Sequence, residues 1–301
     1  LILRRKVYKS TNKKSSSMVL ESLINPTKAE QTPSKMILFG AIYASVGIAL
    51  GLWVFYSYAS MIFVFLAAMA AIPLLYNVIK FEEKKDLEDL TETALLKEHA
   101  KALQVFMYLF IGMTLACVLW YTVLPANTVS SLFQSQTTTI NAINGKITGL
   151  FTADQFQIFT KIFLNNIKVM IFCAIFSLVY GAGAIFILSW NASVIGSAIG
   201  NFIRGNLASY AHLVGFEKAA QYFSVISIGL LKYVIHGVPE ILAYFTAGLA
   251  GGIISIAIIR HDFGTRKFEH ILLDSADLFL VSIGLVLLAA ILEVWITPLI
   301  F

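Results

Sequence analysis

The chain has 301 residues, of which 58% are hydrophobic and 13% charged, with a mean hydropathy of +0.80 and a formal net charge of +5. Soluble domains carry about 25% charged residues. This composition therefore excludes a soluble enzyme, a disordered tail and a fibrous repeat, and it predicts an all-α, polytopic transmembrane helical bundle. Segments of alternating polarity of the outer-membrane barrel type are missing from the sequence.

The positive charge is local. Residues 1–35 hold eight Lys/Arg and two acids, leaving 14 basic and 15 acidic residues in the other 266. This basic arm suits an anionic cytoplasmic lipid surface, and nothing else in the chain supports nucleic-acid binding. It has no apolar core before Lys35 and no cleavage pattern, so it does not read as a signal peptide.

A hydrocarbon core about 30 Å thick needs roughly 20 apolar residues of helix. Met36 to Tyr58 and Ala59 to Ile79 meet that length. Residues 80–101 then hold five lysines among seven acids with no Gly or Pro, which predicts a charged, solvent-facing cytoplasmic helix. Ala102 to Leu124 is a third span, closing an N-terminal unit over 36–124.

Residues 125–166 form the longest polar stretch and have few basic residues, as an extracytoplasmic segment should. Phe151, Phe156, Phe159 and Phe163 predict a surface helix in its second half.

The remaining membrane domain, 167–301, opens with a fourth span, Ile167 to Trp190. Asn191 follows as a helix cap. Asn191 to Leu213 is polar and Gly-interrupted, so it reads as a re-entrant or broken segment buried in protein, with Ala192, Gly196 and Gly200 making close helix contact. Ala219 to Ile235 and Val238 to Ile259 read as two spans turning at His236-Gly237, and Ala276 to Ile296 as the last. This makes about seven spans with the N-terminus cytoplasmic. Arg260, Arg266 and Lys267 then return to the same side. Cys117 and Cys173 sit in apolar runs and read as core residues.

An ionisable side chain within a span costs at least about 2.5 kcal/mol to insert, so each one is a functional candidate. Glu240 and Glu293 are the clearest, with His236 four residues before Glu240. Together with Asn165, Asn166 and Asn191 they define a candidate buried polar site in the outer part of the bundle. Three chemistries are open to it: a structural hydrogen-bonded cluster, a proton- or cation-handling site, or a divalent metal held by His236, Glu240 and Glu293 as in open zinc sites. No organic cofactor is expected.

The ordered set Asn165-Asn166, Trp190-Asn191, His236-Gly237-Val238-Pro239-Glu240, Ala247-Gly248 with Gly251-Gly252, and Glu293 with Ile296-Thr297-Pro298 resembles the stage II sporulation protein M family over residues 163–301. One departure is Asn191-Ala192, where the family tends to have Asn-Gly. The N-terminal spans look like an addition of the archaeal type. The resemblance implies an integral membrane protein, and in sporulating bacteria an anchor for a complex that remodels the cell wall. The leading expectation is a non-enzymatic subunit of a cell-envelope complex in the cell membrane. Its partners are the bilayer, anionic lipid at the arm, and other proteins or further copies of itself. A transporter or channel is the first alternative and an intramembrane metal hydrolase the second.

Overall fold

A computed structural model of the protein describes residues 26–85, 92–148, 155–210, 212–260 and 264–300. Most of the basic arm therefore lies outside the described residues. A short helix α1 (Pro26–Gln31) and a 3-10 turn (Pro33–Lys35) lead into α2 (Met36–Val54), α3 (Ala59–Lys85) and α4 (Glu92–Val123). Next come α5 (Ala126–Leu132), α6 (Gln134–Thr148), α7 (Gln155–Tyr180) and α8 (Ala184–Ser209). The chain ends in α9 (Gly215–Arg260), α10 (Arg266–Ile291), a π-helical turn (Leu292–Ile296) and α11 (Thr297–Ile300). No strand occurs among the described residues. Seven stretches are long and apolar enough to cross a membrane: α2, α3, α4, α7, α8, α9, and α10 with its extension.

The number of spans matches the sequence expectation, but several boundaries do not. α7 begins at Gln155, so Phe156, Phe159 and Phe163 belong to a spanning helix rather than a separate surface helix. That helix ends at Tyr180, not Trp190. Gly181 turns the chain with φ +72°, a left-handed conformation that favours glycine. Asn191 consequently sits inside α8, donating its Nδ2 to the Ile187 carbonyl at 2.8 Å, and caps nothing.

The segment expected to be re-entrant is a continuous helix of spanning length. Its glycines are accommodated by packing. A Cβ at Gly196 would lie 2.5 Å from Cys117 Cβ, and one at Gly200 would lie 2.6 Å from Tyr121 Cβ. With Ala192, also buried, they form the small-residue face along which α8 meets α4.

The expected hairpin at His236-Gly237 is absent. α9 runs unbroken through it for 46 residues, about 69 Å at 1.5 Å per residue. Nor is 80–101 one solvent-facing helix. His99 Nδ1 lies 2.8 Å from Glu82 Oε2, 17 residues away in sequence. An unbroken helix would hold them about 25 Å apart, so α3 and α4 double back on each other, and both side chains are buried.

A glycine seam joins α7 to α9. Gly248 meets Ser177 and Ala184, Gly251 meets the Ala174 backbone, and Gly252 meets the Gly181 carbonyl. Ser282 Oγ donates to the Ala243 carbonyl at 2.8 Å and ties α10 to α9.

Replacing Gly196 with Leu is expected to destabilise the bundle by about 1–3 kcal/mol through overpacking against Cys117. Gly205→Ala, where a Cβ meets nothing within 4 Å, is expected to be neutral or mildly stabilising. Thermal melting of both variants in detergent checks the contrast.

Candidate functional site

The site is built first by α9. Its helical repeat puts His236, Glu240 and Tyr244 on one face, four residues apart. Pro239 stands between the first two and supplies no N–H to the Ile235 carbonyl, so the backbone ladder is interrupted there. Tyr244 is fully buried, and its hydroxyl donates to Glu240 Oε1 at 2.7 Å.

The facing wall comes from the end of α10. Pro298 gives no N–H to the Val294 carbonyl and crowds it, and the helix widens there into the π turn that carries Glu293. Such π turns recur at functional sites. The Thr297 hydroxyl donates to the Leu292 carbonyl at 3.0 Å, five residues back, in step with the π geometry. With that proton committed, Thr297 Oγ1 accepts from His236 Nδ1 at 3.3 Å. Trp295 fastens the turn to α7 by donating to Gln155 Oε1 at 2.9 Å and packing on Phe159. Glu293 lies within electrostatic reach of both Glu240 and Tyr244.

α7 contributes Asn166, which is buried and whose Nδ2 has no hydrogen-bond partner. Ser177 lies opposite Gly248 and Gly181 opposite Gly252. The structure thus brings His236, Glu240 and Glu293 together where α9 and α10 meet, while Asn166 is buried on α7. It does not bring in Asn165, which is exposed, or Asn191, which belongs to α8. Among the described residues no three His, Cys, Asp or Glu side chains converge as a metal would need, and His236 turns to Thr297 rather than to either glutamate.

A second charged site was not singled out from the sequence. At the opposite end of the bundle Lys85 Nζ reaches Glu82 at 2.7 Å, Glu30 at 3.0 Å and Glu98 at 3.4 Å. His99 takes the other Glu82 oxygen, and Arg260 Nη1 reaches Glu83 Oε2 at 2.9 Å. Glu82 and Glu83 are fully buried. The cluster fastens α1, α3, α4 and α9 together. The excess of both signs over 80–101 was its sequence signal, read there as a solvated face.

Seven apolar spans, helices joined by small-residue seams, and polar side chains paired inside the bundle define a polytopic α-helical membrane protein. The sequence profile of stage II sporulation protein M matches residues 10–298. The chain is a member of that family. The match reaches upstream of Phe163 and takes in the three N-terminal spans. No curated protein and no solved structure matches the chain.

The Glu30 carboxyl is pushed up from 4.5 to about 7, by burial first and by neighbouring Glu82 next, against the pull of Lys85. Between these values the folded protein holds a proton that the unfolded chain has lost. Stability is therefore expected to fall as pH rises from about 4.5 to about 7, by at most about 3 kcal/mol, and to level off above. Glu30→Gln mimics the protonated form and should flatten that part of the profile. Melting temperature against pH for both proteins measures it.

Proposed function

We propose that the chain is a non-enzymatic membrane subunit, an anchor on which a cell-envelope complex assembles, and that its His/Glu site is structural. The observation that carries this reading is that Glu240, His236 and Thr297 each engage a neighbour within the bundle. Glu240 accepts from Tyr244, His236 pairs with Thr297, and Thr297 bonds the widened backbone of α10. Each bond joins or stiffens helices, as a scaffold requires.

The ion-pair end is the cytoplasmic end in this reading. It gathers Lys80, Lys84, Lys85, Lys97 and Lys101 with Arg260, Arg266 and Lys267, and Glu30 places the arm's exit there. The positive-inside tendency assigns such an end to the cytoplasm of a cell membrane, where the arm meets anionic lipid. α5 and α6, together with the arm, supply the surfaces for protein partners.

A second reading, a proton- or cation-handling carrier, draws on the π turn that carries Glu293 within electrostatic reach of Glu240 and on the unpaired, buried Asn166 amide of α7. Proteoliposomes with a trapped pH dye separate the two. As a subunit, the protein moves no protons beyond empty vesicles, and Glu240→Gln and Glu293→Gln keep the fold because an amide retains a donor and an acceptor. A flux that Glu293→Gln abolishes in a protein that still folds establishes the carrier instead.

Orientation is checked by single-cysteine labelling on a background lacking Cys117 and Cys173. Cysteine at position 141 is expected to react with an impermeant reagent in intact cells, and cysteine at position 12 only after permeabilisation. The reverse pattern inverts the topology.

A further inference from the structure

A cleft of about 370 Å³ opens at the end of the bundle away from the ion pairs, between α4, α5, α6 and α8. Its volume falls within the range of small-molecule sites, about 300–1,000 Å³. Among the described residues Arg204 is its one charged lining residue, and none of those lining it is acidic.

The hydrogen bonds around Arg204 decide what the cleft can hold. Arg204 Nη1 donates to the Leu124 carbonyl at 2.8 Å and the Tyr121 carbonyl at 3.2 Å, at the C-terminal end of α4. That fixes the guanidinium against the wall and leaves the Nε and Nη2 hydrogens of its five N–H groups. The Tyr121 hydroxyl donates to Asn201 Oδ1 at 3.3 Å, which leaves the Asn201 amino group to donate. From the opposite wall α6 presents Gln134 and Thr137. The cleft therefore offers a held cation and neutral donors on two walls, with no carboxylate among the described lining residues to neutralise them. Carboxylate and phosphate both accept the guanidinium fork, but a carboxylate spends both oxygens in that one plane, whereas a tetrahedral phosphate has further oxygens to turn to the opposite wall.

We infer that the cleft between α6 and α8 is a binding site for a phosphate group, with Arg204 as its anchor and Asn201, Gln134 and Thr137 as neutral donors. Two sources share that chemistry: a soluble phosphate monoester, and the headgroup of an anionic lipid at the edge of the bilayer. The site is independent of the anchoring role, since it shares no residue with the His236, Glu240 and Glu293 cluster.

The test uses the full chain purified in neutral detergent. One arm titrates sn-glycerol 3-phosphate at constant ionic strength and reads melting temperature and calorimetric affinity. The other measures retention of phosphatidylglycerol against phosphatidylcholine by native mass spectrometry. Binding of the soluble ester above a potassium chloride control assigns a solution ligand, and selective retention of phosphatidylglycerol alone assigns a headgroup. Either result supports the site if the variants respond. Gln134→Glu is isosteric and replaces a donor with an anion facing Arg204, so it is expected to weaken the bound probe at least tenfold. Thr138→Glu, on the exposed lip of the cleft, is expected to do the same. Both leave the Arg204 bonds to α4 in place, so their melting temperatures without probe should match the parent. Failure of both probes to exceed their controls overturns the site, as does undiminished binding in both folded variants.

Discussion

A bilayer offers no hydrogen-bond partner, so every polar atom within this bundle has to find one in the protein or remain unsatisfied. That constraint organises the rest. The Arg204 guanidinium ends α4 by taking its last carbonyls. Gln136, fully buried, reaches both the Ser60 carbonyl and Ser193, tying α6 to α3 and α8. Trp120 donates to Ser45 between α4 and α2. These contacts join segments 57 to 83 residues apart in sequence, so they fix which helices are neighbours, which apolar packing alone specifies weakly in lipid.

Close approach is the other half of the arrangement. The hydrophobic effect does not drive one apolar helix against another when both already lie in hydrocarbon. Attraction then rests on dispersion, which falls off within an ångström or so of contact. The glycines at 196, 200, 248, 251 and 252 bring α8 onto α4 and α7 onto α9 closely enough for that term to act. The small-residue spacing also explains why a segment as polar and Gly-rich as α8 remains helical: its weak face is covered by protein.

Much of this was legible in the sequence, and the misses share a cause. The count of seven agrees although two expected spans are one helix and α8 was not read as a span; α2, α3, α4 and the last span follow from apolar run length, and the Ala192, Gly196 and Gly200 seam follows from its four-residue spacing. The turn at Gly181 was hidden because it lies within an apolar run and carries no polar marker. His236-Gly237-Pro239 has the opposite character: it looks like punctuation, yet it stands inside α9, which stays helical on both sides of it. Residues 80–101 read as solvated because their partners lie far away in the chain. The Glu83–Arg260 pair spans 177 residues, and no local pattern announces which face a remote arginine will cover. Of the candidate site, the depth and helical spacing of His236, Glu240 and Glu293 were readable. The partner of His236 was not, because Thr297 reaches it only through the π turn.

The two ends of the bundle are held by different physics. At one end, charged groups are taken out of water and fixed by several partners at once. Such an arrangement is costly to break, because removing any member leaves a buried charge behind. At the other end the ties are hydrogen bonds rather than ion pairs, and the packing beside α9 loosens: a Cβ at Gly248 would collide, while one at Gly237 would meet nothing within 4 Å. The unpaired Asn166 amide, the proline-interrupted stretch of α9 and the π turn of α10 all lie on this loosened side. A neutral hydrogen bond contributes about 1 kcal/mol net, whereas breaking a buried ion pair costs about 3–5 kcal/mol. The fold therefore concentrates its capacity for local rearrangement around Glu240 and Glu293, and the ion-paired end serves as the fixed base from which those helices extend.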